Sequence, residues 1–176
     1  MPIREILKHP HEMLRRKARP VEQFDAELQH LIDDMVETMR AAPGVGLAAP
    51  QVSAPLRVIV VEYAEHEEEE APGDDLPKKK LYTLINPELS RASTEIETAG
   101  EGCLSIPGLV GDVDRSMEVT IKGLNRRGQP TKIKASGWLA RIFQHEIDHL
   151  NGVLFIDRAE KVYQLQEEDS QAATRA

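Results

Sequence analysis

The sequence predicts an α+β fold in a single domain over residues 1–176, with mainly antiparallel β-sheets packed around a central helix and another helix near the N-terminus. Three observations carry that prediction. Strand-like segments crowd the middle of the chain, segments with a helical period flank them, and two of the strands are joined by a turn short enough for a hairpin. A doubly wound parallel sheet would alternate strands and helices along its whole length instead.

Residues 10–17 read as a short helical turn, with Met13 and Leu14 apolar among Arg15, Arg16 and Lys17, and Pro20 closing it. Asp25 is a candidate N-cap for a helix whose Leu28, Leu31, Ile32, Met35 and Met39 follow a helical period, with Phe24 just outside as a hydrophobic staple. A methionine-bearing stripe of this kind is core rather than a ligand box. Gly44-Val45-Gly46-Leu47-Ala48-Ala49-Pro50-Gln51 is a run of small residues, expected to be a loop that lets a ligand lie against the main chain. It is not a dinucleotide fingerprint: no apolar strand precedes it, the third glycine is missing, and Pro50 stops a helix from running straight on.

Leu56 to Tyr63, with Val58, Ile59, Val60 and Val61 in succession, reads as a buried strand. Residues 64–80 are expected to form an acidic surface insert, a like-charge block over 65–75 with Pro72 and Gly73, ended by Lys78, Lys79 and Lys80, and carry no chemistry. Leu81 to Asn86 is a further strand, stopped at Asn86-Pro87. Thr94 to Thr98 alternates as another, and Glu118 to Leu124 forms a hairpin with Pro130 to Ala135 around Asn125-Arg126-Arg127-Gly128. Near the end, Val153 to Ile156 is expected to pair as a short strand. Residues 157–168 should add a last helical turn or two, and 169–176 should fray.

Chemistry concentrates on the central helix. Trp138, Leu139, Ile142, Phe143, Ile147 and Leu150 recur at three- and four-residue spacing, Ser136 and Gly137 precede them, and Asn151 with Gly152 supplies a left-handed stop. Within it, His145 and His149 stand four apart, on one face and about 6 Å apart along the axis, so both imidazoles can hold one metal ion. They continue the stripe that Ile142 begins and therefore face inward or into a cleft, where two buried imidazoles need partners and a metal supplies one to both. The central helix is thus expected to be metal-binding. Glu146, roughly a quarter turn away, stays off the metal but within reach of a water upon it, which is where a general base belongs.

A catalytic site of this type keeps three protein ligands and one open position, so one ligand is still to be found. The pattern His-Glu-x-x-His-x-x-Gly-x-x-His is matched through Gly152 and then has Phe155 where the histidine must be. Glu168 suits a class that uses a later glutamate, yet it sits among Gln166, Glu167 and Asp169 with little chain left to support it. Cys103, the single cysteine, lies in Gly100-Glu101-Gly102-Cys103-Leu104-Ser105, whose glycines permit an extended or bulged segment that presents the sulfur. A lone cysteine beside a two-histidine helix is a nucleophile or a ligand, and the unfilled ligand position favours the second.

Composition narrows the classes. A net charge of −8 argues against a surface that grips nucleic-acid phosphates. One cysteine excludes an internal disulfide and points to a reducing compartment. The N-terminus carries no apolar stretch of signal-peptide length, and no run approaches eighteen apolar residues, so a cytoplasmic protein with no membrane partner is expected.

Gly44 to Gln51, Glu101 to Ser105 and Gln144 to His149 together resemble the three signature motifs of peptide deformylase, in the family's order, with the likeness running from about residue 3 to 160. The acidic insert and the short polar C-terminus depart from the family outside the motifs and bear on regulation and oligomeric state. The resemblance implies a metal-dependent hydrolase that removes the N-formyl group from the N-terminal methionine of newly synthesised polypeptides, releasing formate. It implies Cys103, His145 and His149 as ligands of one divalent metal ion, Fe2+ first, with Zn2+ or Ni2+ able to occupy the same ligands. Glu146 would take a proton from the metal-bound water and return one to the leaving amine. The Gln51 side-chain amide and the Leu104 backbone N–H would hold the oxyanion. Val45, Gly46, Gly102 and Ile142 would bind substrate: Val45 and Gly102 by pairing with its main chain, and Val45, Ile142 and His145 by lining an apolar pocket for the methionine side chain. The implied partners are formyl-methionyl nascent peptides, with transient ribosome association and no direct nucleic-acid binding. Two other readings stay open from the residues themselves. One is a small zinc endopeptidase using Glu168; the other is a binding protein with a structural metal, for which a second cysteine is absent.

Overall fold

Asp25 accepts a hydrogen bond from the Leu28 N–H at 3.0 Å, and from that cap helix α1 (Ala26–Ala41) starts in the computed structural model, which describes residues 2–64 and 78–165. Its buried stripe of Leu28, Leu31, Ile32, Met35 and Met39 packs on Val58, Val60 and Ile85, with Phe24 against the same cluster. Before it, a 3₁₀ turn over Glu12–Arg15 buries Leu14. The elements that follow are β1 (Gly46–Ala48), β2 (Val58–Tyr63), β3 (Lys80–Ala92), β4 (Ile96–Cys103), β5 (Ile106–Ser116), β6 (Glu118–Leu124), β7 (Pro130–Ser136), α2 (Gly137–Leu150), α3 (Phe155–Arg158) and β8 (Lys161–Gln164). Among the described residues the strands form two antiparallel sheets, one ordered β1-β2-β3-β6-β7 and the other β4-β5-β8. The chain is therefore α+β, with antiparallel sheets and few helices, as the sequence predicts.

Helix α2 packs its apolar side chains on the larger sheet, where Leu139, Ile142, Phe143 and Ile147 share one core with Ile59, Val61, Leu84 and Ile121. Its other sides are also covered: Arg141, Gln144, His145, Glu146, Asp148 and His149 are all buried. Four of these polar groups find partners in the smaller sheet: Arg141 and His145 on Glu101, Asp148 on Arg115, and Gln144 on Ser116. At the end of α2, Asn151 keeps a φ of −103° while Gly152 takes the left-handed value of 74°, so Gly152 alone makes the stop. Ser136 flanks the start without a side-chain cap bond.

Several expectations need correction. The small-residue run is not simply a loop: Gly46–Ala48 pairs with β2, and Pro50 falls inside a 3₁₀ turn over Ala49–Val52. Leu47 and Ala48 are wholly buried, and a buried backbone needs the ladder bonds that β2 supplies. Strand β3 does not stop at Asn86-Pro87 but runs through it. Asn86 adopts a φ of 52° and the register shifts between Ile85 and Glu88, so Pro87 sits in an irregularity where its missing N–H breaks no ladder bond. The strand that begins near Thr94 extends to Cys103, and β5 has no counterpart in the sequence reading.

At the C-terminal end the two expected elements exchange types. Phe155–Arg158 is a helical turn, closed by Asp157 accepting the Leu154 N–H at 2.9 Å, where a strand was expected. Lys161–Gln164 is a strand, where a helix was expected, because the outer edge of β5 is open to it and Gly111 pairs with Val162. The body of the acidic insert (65–77), Glu168 and the frayed tail lie outside the described residues.

Candidate metal centre

Two elements bring three side chains together. Cys103 ends β4 at a register shift that follows Glu101, and His145 and His149 project from α2 on one face. Their ligand atoms all lie within 4.8 Å of one another, and all three residues are buried. His145 Nε2 is 3.2 Å from His149 Nε2, which in turn is 3.5 Å from Cys103 Sγ. A cysteine sulfur and two imidazole nitrogens that face one another in a dry site are a donor set that a divalent ion fits. Among the described residues no fourth His, Cys, Asp or Glu joins this group, so the donor set leaves a coordination position open. Phe155 does not replace the absent histidine. Its ring stacks on His145 with centroids 6.3 Å apart.

Glu146 is wholly buried beside this group, and neither of its carboxylate oxygens has a hydrogen-bond partner among the described residues. Burial pushes it up to about 7, with the charge of Glu101 adding to that and His145 opposing it. The reason for Gly46 follows at once: a Cβ there would lie 2.6 Å from Glu146 Oε1. The close approach expected of this glycine is thus an approach of β1 to the carboxylate.

Gln51 is also wholly buried. Its Oε1 accepts the Ala48 N–H at 2.9 Å, which fixes the amide so that Nε2 donates to Ser105 Oγ at 3.1 Å and faces Cys103 Sγ at 3.7 Å. Leu104 and Gly102 flank Cys103, and the Leu104 carbonyl accepts from Lys8 Nζ at 2.9 Å. Val45 is half-buried against the core cluster to which Ile142 belongs, and its carbonyl accepts the Glu62 N–H at 2.9 Å. Ile142 itself is a core residue. The structure therefore gathers Gly46, Gln51, Cys103, His145, Glu146 and His149 directly, and places Val45, Gly102, Leu104 and Ile142 around them.

What the sequence reading missed is the ionic network behind the histidines. Glu101 accepts from His145 Nδ1 at 2.9 Å, from Arg115 through two bonds of 2.8 and 2.9 Å, and from Arg141 at 2.6 Å. Arg115 also donates to Asp148 at 2.6 Å. Burial alone would raise Glu101, but its hydrogen bonds to Arg115 and His145 outweigh that and hold it well below the usual carboxylate range. Gln144 ties α2 to the end of β5, accepting the Ser116 N–H at 3.1 Å and donating to the Ser116 carbonyl at 2.8 Å. A sequence signal was available in Arg141, Gln144 and Asp148, polar residues on a helix whose pattern already declares it buried.

The comparisons with known proteins agree with this geometry. The family model described as polypeptide deformylase matches residues 3–164. A peptide deformylase of Symbiobacterium thermophilum is 52% identical over 158 residues, covering 90% of this chain and 67% of the relative. That of Halothermothrix orenii is 48% identical over 167 residues, covering 92% of this chain and 97% of the relative. A crystal structure of class I type b peptide deformylase from Acinetobacter baumannii with Met-Ala-Ser bound superposes with a TM-score of 0.79 at 36% identity, covering 89% of this chain and 98% of the other.

Proposed function

The chain belongs to the peptide deformylase family, and on that premise we propose how its residues carry the reaction. The enzyme removes the N-formyl group from the N-terminal methionine of newly synthesised polypeptides and releases formate. Cys103, His145 and His149 hold one divalent ion; Fe2+ is the assignment, and Zn2+ or Ni2+ suits the same borderline donor set. When bound, the ion supplies Lewis acidity at the reacting water and the formyl oxygen. This makes α2 the metal-binding helix at the centre of the fold.

Glu146 moves the proton. Its Oε1 or Oε2 takes the proton of the attacking water as the water oxygen bonds to the formyl carbon. When the C–N bond breaks, the same proton passes to the amine nitrogen; the free N-terminus separates, and the formic acid formed gives its remaining proton to solvent and leaves as formate. The observation that carries this reading is the Glu146 carboxylate itself, buried without a hydrogen-bond partner beside a Cys-His-His group. With both oxygens free of other hydrogen bonds among the described residues, the carboxylate can turn either one to the proton it takes and gives back.

Gln51 Nε2, held by the Ala48 N–H on the other side of its amide, and the Leu104 backbone N–H donate to the oxyanion. Val45 and Gly102 pair with the substrate main chain as an added strand would, Gly46 leaves room for the base, and Val45 with Ile142 and His145 accepts the methionine side chain. The Met-Ala-Ser in the Acinetobacter relative supports a substrate of that kind. No helix of the described residues is long and apolar enough to cross a membrane. We place the enzyme in the cytoplasm, meeting nascent chains through transient ribosome association and without binding nucleic acid directly, in keeping with its −8 charge.

The test is formate release from a formyl-methionyl peptide, measured beside cleavage of the same peptide without the formyl group. Formate from the first and no new amine from the second supports the reading. Internal cleavage of the unformylated peptide identifies an endopeptidase instead.

A further inference from the structure

The ionic network does not end inside the molecule. Asp148 Oδ2 receives Arg115 Nη1 and Arg158 Nε, each at 2.6 Å, and Asp148 Oδ1 receives Arg158 Nη2 at 2.9 Å. Side chains of Glu101, Arg115 and Arg141 are 4% exposed and Asp148 is 11% exposed, whereas Arg158, at the end of α3, is 48% exposed. A continuous line of charge-assisted bonds thus runs from a surface arginine through Asp148, Arg115 and Glu101 to His145 Nδ1. We infer that Arg158 is a positioning residue for the metal centre, acting through this line to fix the His145 ring and its tautomer. The inference rests on His145 being a metal ligand, as proposed above.

The physical argument has two links. A ligand imidazole that donates its other ring N–H to a carboxylate is held in one tautomer and one orientation, so whatever holds the carboxylate also holds the ring. Glu101 is held chiefly by Arg115, and Arg115 keeps its angle by spanning Glu101 and Asp148. Among the described residues, Asp148 Oδ1 is held by Arg158 alone, so without that planar fork the carboxylate can turn and Arg115 loses its second anchor. Because Arg158 precedes β8, the C-terminal strand is joined to the ligand helix by this pair as well as by its ladder with β5.

Charge and geometry predict opposite signs. Removing a cation near the centre would tighten binding of a metal ion by simple Coulomb relief, whereas loss of orientation weakens it. The experiment compares Arg158→Gln, Arg158→Lys, His145→Ala and the parent. Zn2+ affinity is read by competition with a chromogenic chelator, the ligand field by the absorption spectrum of the Co2+-loaded protein, and the fold by Tm. Direct partners of a ligand histidine change affinity about 10- to 100-fold when lost, and a residue further along the line should change it by about 3- to 10-fold. Expected, therefore, is a dissociation constant raised by that amount in Arg158→Gln with a shifted Co2+ spectrum, and a smaller rise in Arg158→Lys, which keeps the charge but not the fork. His145→Ala should lose tight binding altogether. Affinity in Arg158→Gln equal to or tighter than the parent, with or without a lower Tm, overturns the inference while the site reading stands. Tight binding that survives in His145→Ala overturns the site reading and the inference with it.

Discussion

A methyl group at position 46 would stand 2.6 Å from Glu146 Oε1, closer than two non-bonded atoms rest. Gly46→Ala should therefore displace the Glu146 carboxylate while leaving Cys103, His145 and His149 in place. Misplacement of a reacting group by about 1 Å costs on the order of 100-fold, so formate release should fall by about that factor with metal content unchanged. The ligand set makes a second prediction at the same scale. Cys103→Ser exchanges a soft thiolate for a hard hydroxyl and should lose or exchange the metal, while Glu168→Ala should keep both metal and activity, as measured by metal analysis and formate release side by side. Loss of metal from the glutamate variant instead would favour the endopeptidase. Cys103, His145, Glu146 and His149 could be read from the sequence because those residue types at that spacing have a mechanism of their own. Glu101 could not. A carboxylate between two glycines has the composition of an exposed turn, and only folding brings it Arg115 and Arg141, 14 and 40 residues further along the chain.

Elements were legible where the local pattern and the tertiary demand agree. Asp25 and the stripe behind it define α1, and the hairpin of β6 and β7 appears within a residue of where its turn predicts. They were not legible where pairing overrides propensity. Strand β5 carries Pro107, Gly108, Gly111, Asp112 and Asp114, residues that disfavour strands, and it is extended because β4 and β8 supply ladder bonds on both sides. Likewise β8 is a strand only because β5 is there to receive it. Gly152 tests the end of α2: a Cβ at φ 74° would lie 2.4 Å from the Arg15 carbonyl oxygen. Gly152→Ala should cost about 1–3 kcal/mol of stability in denaturant unfolding, from the left-handed backbone and the clash together. The network between β4 and α2 predicts a pH dependence. Glu101 is held below its ordinary value of 4.5, so its charge contributes stability that is fully present above about that pH and is lost as pH falls toward the lower folded value. Glu101→Gln leaves buried Arg141 without its carboxylate and Arg115 with Asp148 alone, and should cost about 3–5 kcal/mol near neutral pH. The difference in Tm between parent and variant should be widest there and narrow below pH 4.5. A constant difference across that range would show that the charge is not what matters.

At the scale of the whole molecule, three stretches separated by long intervals of chain meet because α2 lies where the two sheets can both reach it: Gly46 and Gln51 come from the larger sheet's edge, and Cys103 from the smaller sheet. Tyr63 on β2 is paired with Lys80 on β3, so the segment between them joins neighbours and a shorter connection can close the same hairpin. Deleting residues 65–75 should leave formate release within a few-fold of the parent, and a loss of peptide affinity with the fold intact would show that the insert binds substrate. We propose that the fold builds one hydrolytic centre, in which Glu146, buried and without a hydrogen-bond partner among the described residues, moves the proton beside the Cys103, His145 and His149 group. Formate release by metal-loaded Glu146→Gln tests it most directly, because the amide keeps the shape of the side chain and cannot take a proton. This variant should retain its metal and lose turnover by about 100-fold or more. Formate release near the parent rate from the metal-loaded variant would contradict it.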